Sequence, residues 1–245
     1  MTAGEKDDAD IFVINTCSVT DMAEKKGRQL IRKIIHHHPE AYVVVVGCYA
    51  QLRAKEIMAI EGVDLVLGAG DKFNVGHYLQ HLETAQQQDP HSCDIFKLAD
   101  FDLAYSFGDR TRCFLKIQDG CDYFCTYCTI PFARGRSRSA TIPQIKTAIR
   151  EVATKGIKEV ILTGVNTGDF GRGGDGNFLE LIKELDQMDE IGRYRISSVE
   201  PNLLTNEIIE FVARSRHFMP HFHIPLQSGS NEILKLMHRR YSREL

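Results

Sequence analysis

Short runs of β-branched and aromatic residues alternate along this chain with stretches whose apolar positions recur at helical spacing. The first run, Ile11-Phe12-Val13-Ile14-Asn15, ends at Thr16-Cys17-Ser18, and its length and composition predict a buried strand. From Met22 to His36, residues Ala23, Gly27, Leu30, Ile31 and Ile34 share one face, which predicts a helix opened by a capping box of Asp21 and Glu24. Tyr42 to Val46 reads as a second buried strand ending at Gly47-Cys48, and Val63 to Leu67 with a helix around Asn74 to Leu82 repeats the unit. Continuous apolar strands alternating with helices predict parallel βαβ units and hence a small α/β sheet.

Glu83 to Pro90 is polar and aperiodic, so a domain boundary is expected in or after it. Beyond it, Arg112 to Gln118 alternates with Cys113, Leu115 and Ile117 on one face, which places Cys113 in a packed strand. Thr141 with Gln144 caps a helix that buries Ile142, Ile145, Ala148, Ile149 and Val152 and stops at Gly156. Strands are predicted at Glu159 to Thr163, Arg195 to Val199 and Phe222 to Ile224, with helices around Phe178 to Met188, over Thr205 to Ala213, and after Ser230. That makes about four β/α units of a parallel barrel, whose working face is built from loops at the strand C-termini. The expected organisation is a domain at 1–82, a connector at 83–107 and a second α/β domain at 108–245.

With 245 residues, 43% hydrophobic and 26% charged, the composition is that of an ordinary globular protein of one large or two smaller domains. No apolar run approaches the roughly 18 residues of a membrane span, and the N-terminus has no signal-peptide pattern, so no membrane partner and a cytoplasmic location are expected. A net charge of −3 says nothing about nucleic acid, since local basic clusters decide that. Lys25, Arg28 and Arg32 form the polar face of the first helix and read as solvated. His36-His37-His38 diverge at its end and are assigned no metal. Cys93 reads as a free thiol.

Seven cysteines, an odd number, fit a reducing compartment and metal ligation better than a disulfide framework. Three of them stand in eight residues, Cys121, Cys125 and Cys128, spaced C-x3-C-x2-C. A zinc site ordinarily needs a second Cys or His pair, and none follows Cys128. A ferredoxin-like carrier would repeat C-x2-C-x2-C-x3-C followed by Pro, which is absent. Three thiolates on a [4Fe–4S] cube leave one iron open to a substrate or cofactor. Cys17 and Cys48 each follow a strand and should face one crevice at the sheet's carboxyl edge; the other reading makes them small buried hydrophobes. Arg134, Arg136 and Arg138 alternate just after the cysteine loop, a density that suits phosphate or internal carboxylates.

The cysteine loop, with Tyr127 before its last cysteine, resembles the radical S-adenosylmethionine (SAM) signature. The resemblance implies that the open iron binds the amino and carboxylate groups of SAM and that SAM is cleaved reductively to a deoxyadenosyl radical. Gly164-Val165-Asn166 stands where the family often carries a Gly-Gly-Glu motif that meets the SAM amino group, and Ser197-Ser198-Val199-Glu200-Pro201 and Pro225-Leu226-Gln227 resemble family segments that approach SAM. They assign Gly164, Asn166, Ser198, Glu200 and Gln227, with Tyr127, to cofactor binding; no catalytic side chain is assigned.

Asn15-Thr16-Cys17-Ser18-Val19-Thr20 and Gly47-Cys48-Tyr49-Ala50-Gln51 resemble two cysteine motifs of the methylthiotransferase family, whose N-terminal domain holds an auxiliary [4Fe–4S] cluster on three cysteines. The family's first ligand lies upstream of Met1, so the chain is expected to be a fragment, truncated also at its C-terminal end, with about four of six β/α units. On that expectation it assembles one stable cluster. Residues 128–138 and the loop Thr163 to Gly171 look most like the branch acting on N6-threonylcarbamoyladenosine. The resemblance implies two [4Fe–4S] clusters, SAM, an electron donor and a tRNA anticodon loop as partners, with sulfur inserted and methylated at C2 of the adenine. The alternatives are a sister branch acting on isopentenyladenosine tRNA or a ribosomal protein aspartate, and a non-catalytic metal-binding module.

Overall fold

A computed structural model describes residues 8–80, 93–106, 112–174 and 176–245. Two compact units divide the chain: Met1–Leu98 with Cys128–Gly135, and Ala99–Tyr127 with Arg136–Leu245. The segment 128–135, expected with the second domain, therefore packs with the first.

In the first unit, β1 (Ile11–Thr16), β2 (Tyr42–Gly47) and β3 (Leu65–Leu67) form a parallel sheet in that order. The valines of β2 are buried on both faces, which is why the run is continuously apolar. By contrast β1 is an edge strand of alternating exposure, with Ile11 and Val13 exposed, rather than the fully buried strand expected. Helix α1 (Asp21–His37) lays Ile31 and Ile34 against Phe12, Ile14, Val43 and Val45. Its cap is Thr20, whose hydroxyl accepts from Ala23 N at 3.1 Å, and not the Asp21–Glu24 box. Helix α4 (Val75–Gln80) brings Val75, Tyr78 and Leu79 to the other face. Any continuation past Gln80, and the boundary at 83–90, lie outside the described residues.

Two short helices were not expected: α2 (Cys48–Leu52), opening directly on β2, and α3 (Ala54–Met58). Tyr49 locks them to α1 from a fully buried position. Its hydroxyl donates to Glu56 Oε1 at 2.8 Å and accepts from Arg28 Nη1 at 2.8 Å. Arg28 also pairs with Glu56 at 3.2 Å, so it leaves the solvated face to which its spacing assigned it. His38 packs on Phe12 at 4.7 Å between ring centroids. Helix α5 (Ile130–Arg134) ends at Gly135, whose φ is +77°. A Cβ at that position would lie 2.3 Å from Ile95 O, so only glycine fits and the end of α5 is pinned.

In the second unit, β4 (Ala104–Tyr105), β5 (Arg112–Lys116), β8 (Glu159–Thr163) and β9 (Arg193–Ile196) form one sheet in that order. The last three are parallel and β4 is an antiparallel edge. Cys113, Leu115, Val160, Leu162, Tyr194 and Ile196 point into a core closed by α6 (Ile142–Thr154), α7 (Phe178–Asp186) and α8 (Asn206–Arg214). The expected box of Thr141 and Gln144 caps α6, and Asn177 with Glu180 caps α7 the same way. A two-stranded ribbon, β6 (Gln118–Asp119) with β7 (Arg138–Ser139), brackets the cysteine loop in sequence.

The strand expected at 222–224 does not form among the described residues. Single bridges, Tyr194↔Phe218 and Ser198↔His223, stand in its place. Three parallel strands are therefore laddered rather than four, because β9 stops at Ile196 and leaves Ser197–Glu200 as loop for a partner to meet only once. The last helix is α9 (Asn231–Leu236), capped by Ser230.

Candidate functional site

Gly120, at φ +70°, turns the chain out of β6 into the cysteine loop, and Phe124 holds the left-handed region at φ +51°. Cys125 is buried, Cys121 and Cys128 half-buried. A guanidinium that the sequence did not single out reaches this loop. Arg239 Nη1 donates to Cys125 Sγ at 3.1 Å and to the Tyr127 hydroxyl at 3.3 Å, and Nη2 pairs with Glu200 Oε2. Its neighbour Arg240 lies 4.1 Å from the Tyr123 ring centroid and donates to Asp122 O at 2.6 Å. Asn202 Nδ2 donates to the Tyr123 hydroxyl at 2.9 Å.

The carboxyl ends of β8 and β9 meet around Gln118, which is fully buried. Its amide donates to Gly120 O at 2.8 Å and accepts from Asn166 N at 2.9 Å. A Cβ on Gly164 would lie 2.9 Å from Gln118 Oε1, which accounts for glycine there. Asn166, buried, accepts from Glu200 N at 3.2 Å, while the Thr167 hydroxyl donates to Ser198 O at 3.0 Å. Asn166, Ser198 and Glu200 thus join in one net, with Gly164 packed against Gln118 beside it, and Arg239 links Tyr127 to it. Gln227 is exposed, at φ +59°, and takes no part in that net among the described residues. Asn166 Nδ2, Asp169 Oδ2 and Arg239 Nε are buried with no partner. Buried polar atoms are ordinarily satisfied, so these are groups a polar ligand would use.

Burial pushes the Glu200 carboxyl up, and Arg239 opposes that shift. On Arg239 burial lowers the guanidinium, but Glu200 outweighs it and the net direction is upward. The two side chains meet in a largely solvent-shielded pair, 3% and 14% exposed.

The three alternate arginines are engaged inside their own units. Arg136 pairs with Asp122 at 3.3 Å and lies over the Phe124 ring. Arg138 donates to Asp100 O at 2.9 Å and faces Asp119 at 3.6 Å. Both of these arginines thus meet internal carboxylates. Arg134 instead donates from Nε to Cys48 Sγ at 3.3 Å.

That contact borders a cavity of about 320 Å³ in the first unit, lined among others by Asn15, Cys17, Cys48, Lys72, Phe73 and Arg134. The crevice at the carboxyl edge thus brings Cys17 and Cys48 together. Cys17 is exposed and Cys48 half-buried, which removes the reading of both as core hydrophobes. Gly47 permits this: at φ +105° its Cβ would sit 2.4 Å from Thr16 O. Two thiols beside two cations form a donor set that suits an iron–sulfur group. Cys125, with a guanidinium on its sulfur, offers the same chemistry in the second unit. Among the described residues no three Cys, His, Asp or Glu side chains gather tightly enough to hold a metal ion. The fit therefore rests on thiol chemistry, not on a preformed cage.

Residues 115–245, more than half of the chain, match the family profile described as the radical SAM superfamily. The chain belongs to the radical SAM superfamily. Residues 1–68 match the uncharacterized protein family UPF0004. Curated relatives of this radical SAM chain include the threonylcarbamoyladenosine tRNA methylthiotransferase MtaB of Bacillus subtilis (strain 168), 43% identical over 240 residues, covering 96% of this chain and 53% of the relative. The protein of that name from Aquifex aeolicus (strain VF5) is 38% identical over 242 residues, covering 98% and 59%. This chain thus spans little more than half the length of the relatives it matches. Among solved structures, the radical SAM methyltransferase TsrM from Kitasatospora setae superposes with a TM-score of 0.68 over 98% of this chain and 53% of that one, at 11% identity. That likeness concerns the fold alone.

Of the contacts above, Arg239, Asn202, Gln118 and Lys72 gave no signal in the sequence. The one local feature around Arg239 is a basic pair before an aromatic, His238-Arg239-Arg240-Tyr241, which by itself points to no site.

Proposed function

We propose that this radical SAM chain is part of a tRNA methylthiotransferase acting on N6-threonylcarbamoyladenosine beside the anticodon. The observation that carries the reading is the cavity holding both Cys17 and Cys48, with Arg134 on the Cys48 sulfur, in the unit that precedes the radical SAM core. Methylthio transfer needs a sulfur site in addition to a SAM site, and this cavity supplies thiols for one. The names of the similar full-length proteins support the choice of nucleoside.

Cys121, Cys125 and Cys128 would hold the SAM-side [4Fe–4S] cluster, and Cys17 and Cys48 would give two ligands to the auxiliary one. When bound, those clusters supply reductive SAM cleavage and a route for sulfur to C2 of the adenine. The chain's own contribution is placement. Gly164, Asn166, Ser198 and Glu200 form the rigid polar wall for SAM, with Tyr127 beside them and Gln227 on the neighbouring loop. Gln118 fixes Asn166 by its backbone. An electron donor, a tRNA anticodon loop and a cytoplasmic setting complete the proposal; no helix among the described residues is long and apolar enough to cross a membrane.

Nucleoside analysis of tRNA from a strain deleted for the gene tests the substrate. The expected result is loss of the methylthio group from threonylcarbamoyladenosine alone. Loss from isopentenyladenosine, or from a ribosomal protein aspartate, contradicts it.

A further inference from the structure

Helix α9 ends in a way that aims one side chain. His238, at φ +56°, is the left-handed residue just past the helix. Its N–H donates to Lys235 O at 3.0 Å, and the next N–H, of Arg239, donates to Leu234 O at 2.9 Å. This pair of bonds is the Schellman stop, and it fixes the backbone of Arg239 independently of anything its side chain touches. From there the side chain runs inward until 3% exposed and divides its donors between Cys125 Sγ, the Tyr127 hydroxyl and Glu200. The ring of Tyr241 lies 5.3 Å from the guanidinium carbon. One cation thus touches a thiol of the cysteine loop and a carboxylate at the end of β9.

We propose that Arg239 is a positioning residue for the cysteine-loop site: it fixes the Cys125 sulfur and, balanced against Glu200, sets the reduction potential of the cluster held there. The inference rests on the reading that this loop carries a [4Fe–4S] cluster. A donor on a thiolate ligand and a nearby positive charge both stabilise the reduced, more negative cluster and raise its potential. Glu200 acts with the opposite sign. In a buried site neither effect is screened as it is at the surface.

The test is an EPR-monitored redox titration of the anaerobically reconstituted chain, with iron and sulfide counted for each variant. Arg239→Gln should lower the midpoint potential. Glu200→Gln should raise it, and the double substitution should return it toward wild type. Arg239→Lys, which keeps the charge but not the forked donors, should fall between wild type and Arg239→Gln. A merely structural role does not produce shifts of opposite sign. Unchanged potentials, or shifts of one sign in both single variants, overturn the proposal. Should Arg239→Gln fail to retain iron, the direction of the Glu200→Gln shift decides alone. A wild-type chain that takes up zinc and gives no iron–sulfur signal sinks the underlying reading instead, so the two failures are told apart.

Discussion

Cysteines in this chain divide by neighbourhood. Cys113 is fully buried in β5, and burial pushes its thiol up, so it stays neutral and unreactive while Cys17 is exposed. Brief alkylation of the native chain, read by mass spectrometry, should mark Cys17 and spare Cys113. Cys113→Ser should leave iron content unchanged while costing about 1–3 kcal/mol in urea denaturation, because a more polar hydroxyl then replaces the thiol in a fully buried position. Loss of iron in that variant would make Cys113 a ligand. The burial of Cys113 was readable from alternation, and the cysteine loop was picked out by its spacing. The partners of the arginines were not. Arg239 and Cys125 are 114 positions apart, and an ion pair leaves no period in a sequence. Arg134, Arg136 and Arg138 share a pattern yet meet a thiol, a carboxylate beside an aromatic ring, and a carbonyl with a carboxylate.

Helices of two turns or more were readable because caps and periodic apolar positions agree, as in α6 with Thr141 and Gln144. Thr141→Ala should cost about 1 kcal/mol of stability, measured by thermal or urea unfolding; no change would mean that packing alone holds that end. The five-residue helices α2, α3 and α5 are too short to show a period, and two of them carry Cys48 and Arg134. Their placement depends on glycines that no hydrophobic pattern flags. Gly47→Ala should destabilise the first unit by more than about 1 kcal/mol, since it forces both a positive φ and a clash with Thr16 O. A stability equal to wild type would show that the β2–α2 junction relaxes freely. At the end of α9 the preference is reversed. His238→Gly should preserve or slightly raise stability, because glycine occupies the left-handed position at lower cost.

Across the whole molecule, the parallel sheet of the first unit and the β/α order of the second follow from alternating apolar strands and helices. The antiparallel β4 and the replacement of a fourth strand by single bridges depend on pairing between distant segments, which local pattern does not encode. Each unit contributes thiols in a different setting: a cavity beside Lys72 and Arg134 in the first, and Cys125, tied to Glu200 through Arg239, in the second. The central proposition is that the loop thiols hold a SAM-responsive [4Fe–4S] cluster distinct from anything bound at Cys17 and Cys48. The most direct measurement is iron, sulfide and zinc analysis with EPR, with and without SAM, on the anaerobically reconstituted chain and its Cys125→Ala and Cys48→Ala variants. The account predicts a SAM-dependent change in the cluster signal that Cys125→Ala abolishes and Cys48→Ala leaves in place. Stoichiometric tightly bound zinc, or a signal indifferent to SAM and to Cys125, would contradict it.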